Sequence, residues 1–194
     1  MSQMNQMNYV TISSTGNGAD FGDLYEKNKN CGVTSNGTNE RGIVYGGSRA
    51  YAPCSANWRH IDYFTINSLG NSTDFGDMPA NGREGIVCTS NLTNERGIAF
   101  GGTDHCAGAV NSNIIQYITI SSTGDASDFG DISAGTTTEC AATSDGVLER
   151  GVMMGGSGLG NTIGYVTISS TGNTTDFGDL LASLYGGQAC SNAD

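Results

Sequence analysis

The side chains of this chain that could do chemistry are few and unevenly placed. There are two histidines, His60 and His105, and six cysteines. Aspartates come in spaced pairs: Asp20 with Asp23, Asp74 with Asp77, Asp128 with Asp131, and Asp176 with Asp179. A Ser-His-Asp hydrolase would have to be assembled from loops, because no nucleophile-elbow pattern is present. Cys54, His60, His105 and Cys106 are donor types that zinc accepts, but their spacing is irregular. Adjacent His105 and Cys106 would struggle to face one tetrahedral ion. Paired carboxylates suit calcium, yet the Phe and Gly between them do not match the dense acids of a calcium loop. The expectation is therefore a protein that is not an enzyme, with no catalytic residue, no metal and no cofactor.

Binding is the chemistry these residues fit better. Residues 48–60 read SRAYAPCSANWRH and hold the one tryptophan, Trp58, with Arg49, Tyr51, Arg59 and His60 around it. Residues 103–113 read TDHCAGAVNSN and add Asp104 and His105. An aromatic beside Arg and polar groups suits stacking on a sugar ring or anchoring a protein partner. The competing reading is that Trp58 folds back as a lid over its own sheet. Arg49, Tyr51, Trp58, Arg59, His60, Asp104 and His105 are the candidate ligand- or partner-binding residues.

The elements that must position these loops come from a repeat. Fifteen residues recur four times, starting at Tyr9, Tyr63, Tyr117 and Tyr165, and nine of the fifteen positions are identical in all copies. The starts are 54, 54 and 48 residues apart, the length of one supersecondary unit. Each copy ends in Asp-Phe-Gly-Asp. The Asp-Phe-Gly of protein kinases also holds magnesium, but no kinase catalytic loop accompanies it here. A residue repeated in every unit is expected to build the unit, with Phe filling the gap between sheets and Asp capping turn amides. A second motif interleaves: ERGIVYGG from Glu40, ERGIAFGG from Glu95 and ERGVMMGG from Glu149. The arginines Arg41, Arg96 and Arg150 are, beside turn capping, an alternative to calcium as neutralising partners of the aspartates.

In the middle unit this pattern predicts strands at Glu84–Ser90, Arg96–Phe100, Ile114–Ile120 and about Asp128–Ile132, joined by Gly- and Asn-rich turns. Strand three of the last unit, with Ile163, Val166 and Ile168, does not keep its apolar residues to one side. Such a sheet needs cover on both faces, which neighbouring sheets around an axis would provide.

Composition narrows the partners. A formal net charge of −11, with eight Lys plus Arg against nineteen acids, excludes a phosphate-binding surface and opposes docking on anionic membranes. No apolar run approaches the ~20 residues that span a bilayer. The opening MSQMNQMN shows neither a basic nor an apolar signal-peptide region. Cys31, Cys88, Cys140 and Cys190 sit in apolar-alternating segments and are expected to be free, structural thiols.

The double glycines Gly46-Gly47, Gly101-Gly102 and Gly155-Gly156, followed by Tyr63, Tyr117 and Tyr165 and then Phe75, Phe129 and Phe177, resemble kelch-type propeller repeats over nearly the whole chain. The style of the fifteen-residue element is similar to repeats in structural and tail-fibre-like proteins of aquatic bacteriophages. These resemblances imply an all-β, single-domain propeller over 1–194, of about four four-stranded blades. Units fall at 25–78, 79–132 and 133–180, with a composite blade made from 1–24 and 181–194. They further imply a virion structural or attachment module, in the virion or outside the cell. Its partners would be protein partners in a homo-oligomer or virion, or a host-surface glycan. The alternative is a carbohydrate-binding, adhesive cell-surface propeller.

Overall fold

A computed structural model describes residues 4–36, 41–49, 59–79, 82–91, 96–104, 106–146 and 149–191. The described residues form strands and turns and no helix. The first unit opens with β1 (Met4–Tyr9) and β2 (Ala19–Lys29). Next come β3 (Gly32–Ser35), β4 (Arg41–Tyr45), β5 (Ser48–Arg49), β6 (His60–Thr65) and β7 (Thr73–Asp77). The second unit has β8 (Arg83–Glu84), β9 (Val87–Ser90), β10 (Arg96–Phe100), β11 (Thr103–Asp104), β12 (Val110–Asn111), β13 (Ile114–Thr119) and β14 (Ser127–Asp131). The third has β15 (Ala141–Ser144), β16 (Arg150–Met154), β17 (Thr162–Thr167) and β18 (Thr175–Asp179).

Three four-stranded antiparallel sheets result, in the orders β3-β4-β6-β7, β9-β10-β13-β14 and β15-β16-β17-β18. In all three the Glu-Arg-Gly strand pairs with the Tyr strand. Arg41 lies opposite Thr65, Arg96 opposite Thr119 and Arg150 opposite Thr167. The Asp-Phe-Gly-Asp strand joins with a bulge at its phenylalanine. Asp74 and Gly76 face consecutive residues, Asp62 and Ile61, so Phe75 is the extra residue. A bulge re-aims a side chain, and here it turns each Phe ring edge-on to the Tyr of its own hairpin. The four ring pairs are alike at 6.1, 6.1, 6.0 and 6.1 Å.

The sheets stack face to face, with their inner strands β3, β9 and β15 side by side. One core layer joins Ile43, Tyr45, Ile61 and Phe75 to Ile86, Ile118 and Ile120. The next joins Ile98, Phe100, Ile115 and Phe129 to Cys140, Met153, Val166 and Ile168. Strand β10 feeds both layers, Ala99 to one and Ile98 and Phe100 to the other. A sheet covered on both faces reads as a continuous apolar run, which is why RGIAF shows no clean alternation.

Several boundaries differ from the sequence reading. The first inner strand of the middle unit breaks at Gly85, whose φ of +68° turns the chain out of the sheet. Arg83–Glu84 instead pair with Thr103–Asp104, which pair in turn with β12. The composite blade expected from 1–24 and 181–194 is not assembled among the described residues. Strand β1 pairs with β2 alone, and of the closing strand that the sequence suggests at about 184–192, the described residues 184–191 are irregular and lie against the third sheet. The Gly186 amide donates to Glu139 O at 3.0 Å, and Ser191 Oγ donates to Ser144 O.

Candidate functional site

The loop candidates are placed unequally. Tyr51, Trp58 and His105, together with Cys54, lie outside the described residues. Arg49 is in β5, its backbone opposite Asn28 of β2. Arg59 and His60 are brought together with acids at the entry to β6. His60 lies opposite Asp77 across the β6–β7 hairpin. Its Nδ1 is 3.6 Å from Asp77 Oδ1 and 3.9 Å from Asp74 Oδ1. Arg59 Nη2 is 3.7 Å from Asp77 Oδ2. The Arg59–Asp77 contact is a part-exposed ion pair, worth ~1 kcal/mol or less.

Tyr25 of β2 completes the cluster, its ring centroid 6.4 Å from that of His60 and its side chain exposed. The motif reading missed Tyr25, Asp74 and Asp77 as neighbours of His60. The signal available was register: His60 and Asp77 close the ladder of one hairpin. Aromatic, imidazole, guanidinium and carboxylates on one exposed rim can stack on and hydrogen-bond a polar ring.

Asp104 belongs to the following unit and is tied into its own turn. Its Oδ1 accepts the Cys106 and Ala107 amides at 2.8 and 3.0 Å. The residues that follow the three double glycines, Ser48, Thr103 and Ser157, are each held by the same kind of pairing. Lys29 faces Ser48, Glu84 faces Thr103 and Thr138 faces Ser157.

The repeated motifs are consumed in joining sheets. Arg41, Arg96 and Arg150 stack over Tyr63, Tyr117 and Tyr165 at 4.6–4.7 Å, rather than pairing with the aspartates. Arg41 Nη1 donates to Ile120 O of the next sheet at 2.9 Å, and Arg96 Nη1 to Ile168 O at 3.1 Å. Strand amides of the Asp-Phe-Gly-Asp element are likewise bonded from across a sheet boundary. The Asp23, Asp77 and Asp131 amides donate to Asn71, Asp125 and Asn173 side chains at 2.9–3.0 Å.

Arg83 is the buried charge that sequence reading did not single out. It is 2% exposed, and its Nη1 donates to Gly101 O at 2.7 Å, Ser112 Oγ at 3.1 Å and Ile114 O at 3.3 Å. Burial pulls its pKa down, while nearby Tyr45 and Asp104 oppose that shift. Asn28 and Thr137 fill the same place in their units and donate to Gly46 O and Gly155 O at 2.7 and 3.3 Å. Arg83 is thus a structural donor to the double-glycine turn.

Among the described residues no group of three or more His, Cys, Asp and Glu is arranged to hold a metal ion, and no helix is long and apolar enough to cross a membrane. Compared with protein-family models and with curated proteins, the chain matches none.

Proposed function

We propose that this chain is a non-enzymatic structural and attachment module of a virus-like particle, a stacked arc of kelch-like blades that displays variable loops. The observation that carries this reading is the division of labour between repeated and unrepeated residues. The recurrent arginines are spent on cohesion between sheets, Arg41 and Arg96 on the carbonyls of Ile120 and Ile168. The unit-specific segments follow the double glycines from Ser48, Thr103 and Ser157, which a like pairing holds at the same place in each unit, where a rigid scaffold leaves loops free to vary. A net charge of −11 keeps such a surface soluble and turns away nucleic acid. Immunogold electron microscopy of particles from the native source is the test. Labelling at an ordered, multi-copy position on a tail, fibre or surface is expected. Recovery of the protein only as a freely soluble monomer absent from particles would overturn the reading.

The exposed Tyr25 ring beside His60, Arg59 and Asp77 favours a second reading, an adhesive propeller that binds carbohydrate. Binding on a glycan array that is lost in both Tyr25→Ala and Trp58→Ala supports it. Silence across the array removes it.

A further inference from the structure

The joint between successive sheets is made three times inside the chain with one geometry. The amides of Gly70, Gly124 and Gly172, at the tips of Tyr-strand hairpins, donate to Phe21 O, Phe75 O and Phe129 O of the preceding unit at 2.8–2.9 Å. Two residues on, Ser72, Ala126 and Thr174 donate to Asp23 O, Asp77 O and Asp131 O at 2.9–3.0 Å. The fit is close. A Cβ on Gly22, Gly76 or Gly130 would come within 2.3–2.5 Å of the facing glycine oxygen.

Each half of this joint is left over once. At one end, Gly178 has nothing within 4 Å of its Cβ position, and Phe177 is 53% exposed where Phe21, Phe75 and Phe129 are 8, 3 and 2%. At the other end, among the described residues the Gly16 amide makes no backbone bond such as those of Gly70, Gly124 and Gly172, and Ile12 is 97% exposed where its counterparts Ile66, Ile120 and Ile168 are 45, 0 and 0%. The ring pairs of the two terminal hairpins match those inside the stack. The Tyr9–Phe21 and Tyr165–Phe177 pairs match the interior ones at 6.1 Å, and Arg150 is held over Tyr165 at 4.7 Å as Arg96 is over Tyr117.

We propose that copies of this chain dock head to tail, the Asp176–Asp179 edge of one copy receiving the Gly16–Asn17 turn of the next. The Gly16 amide would meet Phe177 O, the Asn17 side chain would accept the Asp179 amide, and Arg150 would reach Ile12 O. The occupant is a second copy because the motif on the far end of the chain keeps the residues this joint uses: Ile12, Gly16 and Asn17 stand where Ile66, Gly70 and Asn71 do. One bond is lost. Gly18 replaces Ser72, whose Oγ accepts the Tyr25 amide at 2.8 Å, so the joint between copies is weaker than that internal one. A contact between two different faces closes a ring or grows a filament, and does not stop at a dimer.

The inference rests on the repeat geometry and not on the virion reading, so assembly in solution and location on a particle fail separately. The test is sedimentation velocity of the full chain at ~100 μM, where micromolar contacts are saturated, with salt raised to screen the acidic charge. Wild type should sediment as species larger than a dimer. Ile12→Asp alone and Gly178→Ala alone should each be monomeric. Their equimolar mixture should give a dimer and nothing larger, since one intact copy of each face remains. If Gly178→Ala does not fold, Phe177→Asp takes its place. A monomeric wild type, or either variant assembling as wild type does, would overturn the proposal.

Discussion

Phenylalanine in Asp-Phe-Gly-Asp shows how one residue type takes different energetic roles by position. Phe129 is 2% exposed between sheets and Phe177 is 53% exposed on the last one. Phe129→Ala should cost about 3–5 kcal/mol from lost transfer energy plus the cavity, and Phe177→Ala less than about 1 kcal/mol. Denaturant unfolding of dilute protein measures both, and equal costs would mean the last sheet is covered. The thiols give a second expectation. Burial pushes Cys140 from 9.0 up to about 12, and Cys88 higher still. With a raised folded value, the stabilisation is complete below 9.0 and is lost as pH rises, because the unfolded chain then gives up protons the native chain keeps. The slope per such thiol is about 1.4 kcal/mol per pH unit. Cys140→Ala should flatten the alkaline decline in stability, as read from urea midpoints across that range.

Elements were legible in the sequence where each is defined by its own residues. Glu-Arg-Gly followed by apolar residues and a double glycine marks β4, β10 and β16, and Tyr-x-Thr marks the strand that pairs with them. The bulge at Phe75, the break at Gly85 and the short pairs β5, β8, β11 and β12 were not legible. They depend on pairing with partners 6 to 55 residues away, which leaves no local periodicity. The candidate site shares this limit. Arg59 and His60 stood out by type, whereas Tyr25 and Asp77 reach them only through strand register. The glycines of the joint offer a test at this scale. Gly76 and Gly178 share strained φ values of +149° and +140°, but only Gly76 faces a neighbouring backbone. Gly76→Ala should therefore destabilise the dilute protein by several kcal/mol more than Gly178→Ala, within the range for overpacked or strained sites. Thermal melts of the two variants side by side measure the difference.

The whole molecule is a stack whose cohesion comes from a contact made between consecutive units, so its stability is a sum over units and joints. The central claim is that the recurrent motif serves this joint. Hydrogen exchange of dilute, monomeric protein tests it most directly. The amides of Gly124 and Gly172 donate to Phe75 O and Phe129 O at 2.8 Å, while among the described residues the Gly16 amide, in the same motif, donates to no backbone carbonyl. Gly124 and Gly172 should exchange at least about a thousandfold more slowly than Gly16, since their opening requires parting two sheets. Equal exchange at the three glycines would contradict the account.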